Sequence, residues 1–235
     1  MPFPSKLSYA AFWRYSPRGT APVSRNSRGL RDAIKNDSFL QITREGKIKI
    51  VNAIDYSAAA VKAEVVNSRF LNDYLGPDAA LVPIPRSAPL SDKYALWPSR
   101  RICEALVAEG FGAEVVPLLK RKTAVQKAAT APQGMRPDPE KHYESTIIDN
   151  EVPMLIQRPI TLVDDIITRG ASFIGMFRRV AEAFPGRKIS CFALMRTQRD
   201  GDVTTLKAPV QGTITLYPSG KLWRDDGSPQ QQTLF

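Results

Sequence analysis

Residues 160–172 read ITLVDDIITRGAS, and this stretch decides how the chain folds. Ile160–Val163 is a short apolar run of the kind that makes a buried strand. Two acids follow, Asp164 and Asp165, then Ile166 and Ile167, then Thr168-Arg169-Gly170-Ala171-Ser172 opening a helix over Ala171–Phe184. Each residue type has a physical use. Gly170 lets the backbone approach a ligand with no Cβ in the way. Free N–H groups at the helix start, with the positive end of its dipole, make a nest for phosphate. Thr168 and Ser172 add hydroxyl donors. The two carboxylates can accept hydrogen bonds from the vicinal hydroxyls of a ribose, or hold Mg²⁺ directly or through water. Neither GxxxxGK[ST] nor GxGxxG occurs, so the segment is neither a P-loop nor a dinucleotide fingerprint.

Working outward, Lys188–Met195 is a second apolar strand. Upstream, Ser57–Leu75 has helical periodicity with a candidate N-cap at Asp55 or Ser57, and Gly76-Pro77 stops it. Ala80–Ile84 is a strand, Trp97–Gly110 a helix and Glu114–Leu118 a strand, while residues 120–145 show little periodicity and read as a long loop. This alternation predicts an α/β fold, a mostly parallel sheet with helices on both faces, whose ligands bind beyond the carboxyl ends of the strands. Before it, residues 14–29 carry no apolar period and read as an arm or loop, and Phe39–Ile42 with Lys47–Val51 as a small hairpin. After it, Gly212–Leu216 and Lys221–Arg224 form a hairpin turned at Pro218-Ser219-Gly220. The expected division is a basic N-terminal arm with a hairpin (1–56), a core (57–197), and a C-terminal hairpin and tail (198–235).

Composition narrows the chemistry. Cys103 and Cys191 stand far apart in apolar surroundings, and His142 is the single histidine, which argues against a zinc site and leaves buried thiols as the expectation. The net charge is +10, and residues 1–50 hold ten basic against three acidic side chains, +7 of that total. Such a surface suits polyanions, or serves solubility alone. No run approaches the ~20 apolar residues of a membrane span. The start MPFPSKLSYAAFW has no charged end leading into an apolar stretch, so a cytoplasmic protein without membrane contact is expected.

The 160–172 segment resembles the phosphoribosyl-pyrophosphate (PRPP) signature of type I phosphoribosyltransferases. That resemblance implies that Asp164 and Asp165 are catalytic and contact the ribose hydroxyls and Mg²⁺, and that Thr168, Arg169, Gly170, Ala171 and Ser172 bind the 5-phosphate. Arg169 departs from the family, which has Thr or a small residue there. A second match is Leu81–Ser87, LVPIPRS, where the family keeps its pyrophosphate loop; it implies pyrophosphate contacts at Arg86 and Ser87, with Arg86 also catalytic. The order of Pro-rich strand, helix, basic Gln-containing loop and PRPP signature most resembles the ComF-like branch. Arg121, Thr123, Gln126 and Arg136 are then the counterparts of its middle-loop residues. A lid over Lys120–Lys141 would bring Arg121, Lys122, Lys127 or Arg136 to the pyrophosphate, and His142 and Tyr143 either join it or serve packing. The resemblance spans roughly residues 78–197, lacks the branch's cysteine-rich start, and names no acceptor base. It implies transfer of phosphoribosyl to a nitrogen acceptor with Mg²⁺. The alternative is a protein of the same fold that senses PRPP or a nucleotide and binds nucleic acid or a protein partner through residues 1–50. A homo-oligomer is compatible with either.

Overall fold

A computed structural model describes residues 2–90, 95–126, 137–149, 157–198 and 201–227. In chain order its elements are β1 (Lys6–Tyr15), α1 (Pro22–Lys35), β2 (Phe39–Arg44), β3 (Lys47–Asn52), α2 (Ala53–Glu64), α3 (Leu71–Leu75), β4 (Ala80–Pro83), α4 (Pro98–Ala108), β5 (Glu114–Val115), β6 (Leu119–Arg121), α5 (Pro139–Glu144), β7 (Thr146–Ile148), β8 (Ile160–Ile167), α6 (Ala171–Ala183), β9 (Ile189–Thr197), β10 (Lys207–Leu216) and β11 (Leu222–Asp225).

Seven strands form one sheet in the order β11-β10-β1-β9-β8-β4-β5. The run β1-β9-β8-β4-β5 is parallel, and β10 and β11 extend it antiparallel. Helices cover both faces. Leu30 and Ile34 of α1, Ile54 and Val61 of α2 and Ile102 and Leu106 of α4 pack on one side with Phe12, Val163 and Phe192. Phe173, Ile174, Met176 and Val180 of α6 pack on the other with Tyr9, Leu162 and Ile214. The α/β class and the mostly parallel sheet are as the alternation predicts. Cys103 and Cys191 are free and buried, one in each core layer.

Several local expectations change. The stretch expected as a basic arm supplies a central strand: β1 lies between β9 and β10, and Tyr9 to Phe12 are wholly buried. The signal was present, since Tyr9–Trp13 is apolar without alternation, as a strand covered on both faces must be. Residues 14–29 are not an arm, because α1 begins at Pro22. The inward positions of its first half are Ser24 and Ser27, which dock by hydroxyl instead of methyl. Ser24 Oγ donates to Asp202 Oδ1 at 2.8 Å and accepts from the Val203 N–H at 3.0 Å, while Ser27 Oγ accepts from the Ser16 N–H. A helix buried through serines shows no apolar period.

The single helix expected over 57–75 is broken. α2 starts earlier, where the Asn52 side chain accepts from the Ile54 and Asp55 N–H groups as N-cap, and α3 is a separate short helix. Ser57, a candidate cap, instead lies buried and accepts from the Trp13 indole N–H. The β2–β3 hairpin forms as expected around Glu45 and Gly46, both at positive φ. Residues 120–145 are not all loop: β6 pairs with β7 at its two ends, and α5 precedes β7. The C-terminal hairpin β10–β11 forms, but as the edge of the main sheet.

Candidate functional site

The parallel strand β4 ends at Pro83, opposite Val163 of β8, so the residues that follow each of them lie at the carboxyl edge of the sheet. β8 runs longer than the apolar run suggests. It continues to Ile167, still paired with Arg196 of β9, so Asp164 and Asp165 are strand residues and not a loop beyond the strand. Asp164 is enclosed by hydroxyls: Ser99, in the first turn of α4, donates to Oδ1 and Ser172, in the first turn of α6, donates to Oδ2, each at 3.3 Å. The Asp165 N–H also donates to Asp164 Oδ1 at 2.9 Å. Burial pushes the Asp164 carboxyl well above the usual carboxylate range; the adjacent Asp165 charge adds to this, and Lys35 offsets part of it.

Lys35, the last residue of α1, donates from Nζ to Asp165 Oδ2 at 2.5 Å. Burial alone would lower the Lys35 ammonium, but the charge and hydrogen bond of Asp165, with Asp164 behind, raise it overall. Nothing in the pattern around 160–172 pointed to Lys35, which is distant in sequence and was counted only within the basic N-terminal charge. This pairing bears on the expected metal. Mg²⁺ takes close to six oxygen ligands in octahedral array, and among the described residues no group of three or more His, Cys, Asp or Glu gathers to hold a metal. With Asp165 ion-paired and both Asp164 oxygens accepting hydrogen bonds, the two acids expected as metal ligands do not fit a directly bound Mg²⁺ as arranged.

The turn between β8 and α6 is tightly held. Gly170 takes φ +89°, and a Cβ there would stand 2.5 Å from Ile214 Cδ1 of β10. The position is therefore glycine for two reasons, conformation and space. α6 has no side-chain cap hydrogen bond and no acid in its first turn, so no carboxylate of that turn offsets the positive end of its dipole. Thr168 is exposed and its Oγ1 lies 3.1 Å from Thr197 Oγ1; Arg169 and Ser172 are half-buried. The turn also rests on the C-terminal hairpin. Arg224 of β11, buried, donates to the carbonyls of Ile167 (2.8 Å), Thr168 (2.9 Å) and Thr197 (2.5 Å), and pairs with Asp226. Arg196 pairs with the same Asp226, and Tyr9 donates its hydroxyl to it. These supports went unseen because a lone Arg in a short hairpin carries no sequence signal.

On the β4 side, Arg86 is exposed and Ser87 half-buried. Their loop is anchored from β6. Arg121 Nε donates to the Arg86 carbonyl at 3.0 Å, and Nη1 donates to Ser145 Oγ and Thr146 Oγ1, each at 2.7 Å. Burial lowers the Arg121 guanidinium to about 10, with Asp164 opposing. Arg121 thus differs from its expected place in a closing lid, because its donors are committed to backbone and hydroxyls that brace the 85–87 loop. Lys122 is exposed beside a cavity of about 410 Å³ shared with Thr123, Gln126 and Lys141. Lys127 and Arg136 lie outside the described residues. Trp97 is buried and donates its indole N–H to the Ile84 carbonyl at 2.8 Å, a packing role at the start of α4. His142 and Tyr143 sit on α5 against α6, with Arg179 over the Tyr143 ring.

The fold and site define a class: an α/β protein with a carboxylate pair at the end of one parallel strand, an uncapped helix start after it, and an arginine-braced loop on the next. Comparison of the chain with protein-family models and with curated proteins finds no match in either. Among the described residues no helix is long and apolar enough to cross a membrane.

Proposed function

We propose that this chain is a phosphoribosyltransferase-like protein that binds PRPP and transfers phosphoribosyl to a nitrogen acceptor, releasing pyrophosphate. The observation that carries the reading is the convergence at one sheet edge of three groups: Asp164-Asp165, the uncapped start of α6 and the Arg86–Ser87 loop. A ribose 5-phosphate needs diol acceptors and a phosphate nest one strand-turn apart, and the carboxylates of β8 followed by the uncapped start of α6 support that reading.

In this reading the 5-phosphate takes the N–H groups at residues 170–172 and the hydroxyl of Thr168, while Asp164 and Asp165 accept from the ribose hydroxyls. The pyrophosphate lies toward Arg86 and Ser87. The acceptor nitrogen's lone pair forms the bond to C1 as the C1–O bond breaks, and that bond's electron pair leaves with pyrophosphate. Positive charge develops on the ribose ring between the two events, so positioning and leaving-group neutralisation dominate over base strength. Asp164 and Asp165 would not hold Mg²⁺ directly as arranged, so any Mg²⁺ would come with the substrate and would supply charge neutralisation of the leaving group. Lys122, which lines the neighbouring cavity, is a proposed lid cation, as are Lys127 and Arg136 outside the described residues.

Titration calorimetry with PRPP tests the site. Wild-type protein should bind, Asp165→Asn should weaken binding about tenfold or more, as loss of a charged hydrogen-bond acceptor does, and Asp164→Asn should weaken it as well. Equal binding by both variants removes the assignment. Pyrophosphate release across the common bases then separates an enzyme from a sensor. The sensor reading draws on Lys35, which already occupies Asp165, and on the basic side chains of α1. A salt-dependent mobility shift with nucleic acid checks that second reading.

A further inference from the structure

Helix α1 carries Arg25, Arg28, Arg31 and Lys35 along one side. The first three have partners away from the site. Arg25 donates to the Thr20 carbonyl, Arg28 to the carbonyls of Ser16 and Gly19, and Arg31 lies over the Tyr15 ring and against Asp32. Lys35, in the last turn, reaches Asp165. Its own side chain is 41% exposed and that of Asp165 only 14%. A carboxylate so enclosed, next to a second one, needs a cation close by, because two adjacent acids in a low-dielectric site repel. Elsewhere that cation is often a metal ion. Here it is an ammonium delivered by a helix end, where a positive charge also suits the dipole.

We propose that Lys35 is the resident cation of the carboxylate pair, a ligand-positioning residue that lets Asp164 and Asp165 receive a ribose diol with no metal ion bound to the acids. The proposal rests on the ribose-phosphate reading of the site. Lys35 takes one oxygen of Asp165, and its ammonium keeps two further N–H donors that a ligand hydroxyl or phosphate oxygen can meet. The four-carbon stem, partly in solvent, allows the small adjustment that ligand entry demands.

Ribose 5-phosphate is the probe, because it has the diol and the 5-phosphate but no pyrophosphate to bring its own Mg²⁺. Its affinity is measured by calorimetry in Mg²⁺ and in EDTA for the full chain, for Lys35→Met and for Lys35→Arg, with thermal melts alongside. The wild type should bind equally in both buffers. Lys35→Met should bind roughly tenfold or more weakly in EDTA, the scale of a lost charge-assisted hydrogen bond, and regain affinity in Mg²⁺ once the acids are open to a metal. Lys35→Arg should keep metal-independent binding. Loss of wild-type binding in EDTA, or a Lys35→Met affinity equal to wild type in EDTA, overturns the role of Lys35 and leaves the site reading standing. No wild-type binding in either buffer overturns both. Should Lys35→Met fail to fold, the wild type in EDTA and Lys35→Arg still decide: metal-dependent binding by either overturns the proposal.

Discussion

His142 packs its Cβ against the Gly175 position of α6, its carbonyl accepts from Arg121, and Nδ1 is buried with no hydrogen-bond partner among the described residues. Burial, helped by the nearby Arg121 charge and opposed by Asp138, lowers the imidazole to about 4. The ring is therefore neutral in the native state and takes up a proton on unfolding below its ordinary value near 6.5. Stability should fall as pH drops from about 6.5 toward 4, by at most about 1.4 kcal/mol per pH unit, and be unaffected by this residue above that window. Asp164, raised in the folded state, acts with the opposite sign as pH rises through its own range, so the informative quantity is a difference. Urea midpoints of wild type and His142→Gln, taken across pH 4–7, should diverge only below about 6.5; parallel curves would contradict the buried neutral ring. At this scale the sequence showed residue type but not environment. It put Asp164, Asp165 and Gly170 in the site by pattern, and left His142 between lid and packing because burial is not a local property.

Arg224 shows how one element holds another. β11 is a four-residue edge strand, yet its arginine satisfies three carbonyls at the ends of β8 and β9 and pairs with Asp226. Arg224→Met would leave those three carbonyls without its donors and Asp226 with Arg196 and Tyr9 alone, and breaking a buried pair from one side costs about 3–5 kcal/mol. The expected result is a markedly lower denaturation midpoint together with weakened PRPP binding, since the 168–170 turn loses its brace. A variant as stable as wild type would mean the network relaxes around the loss. The hairpin itself was legible from its turn residues, Pro218-Ser219-Gly220, and so was the β2–β3 hairpin. What the hairpin props up was not, because the contact joins residues more than fifty positions apart. The start of α1 was missed for a related reason: Ser24 and Ser27 bury by hydrogen bonding to Asp202 and Ser16, and a periodicity reading counts methyl groups.

Across the whole molecule, β1 is the seam between the parallel strands and the antiparallel edge, pairing with β9 on one side and β10 on the other. Removing residues 1–36 would unpair both neighbours, expose Cys191, Phe192 and Ile214, and take away Lys35. Such a truncation should yield no cooperatively folding protein by circular dichroism and thermal melting; a folded remainder with native-like melting would show that β9 and β10 close up without β1. By itself, the sequence of residues 160–172, with the alternation around it, determined the α/β class, the mostly parallel sheet and the carboxylate–glycine–helix arrangement at its edge. Those features follow from local periodicity and from backbone rules that act within a few residues. Only the tertiary structure decided that the N-terminal segment belongs to the sheet, that Arg121 braces a loop, and that Lys35 sits on Asp165. Each of these depends on which distant segments share a face, and charge pairing across 130 positions leaves no trace in local pattern.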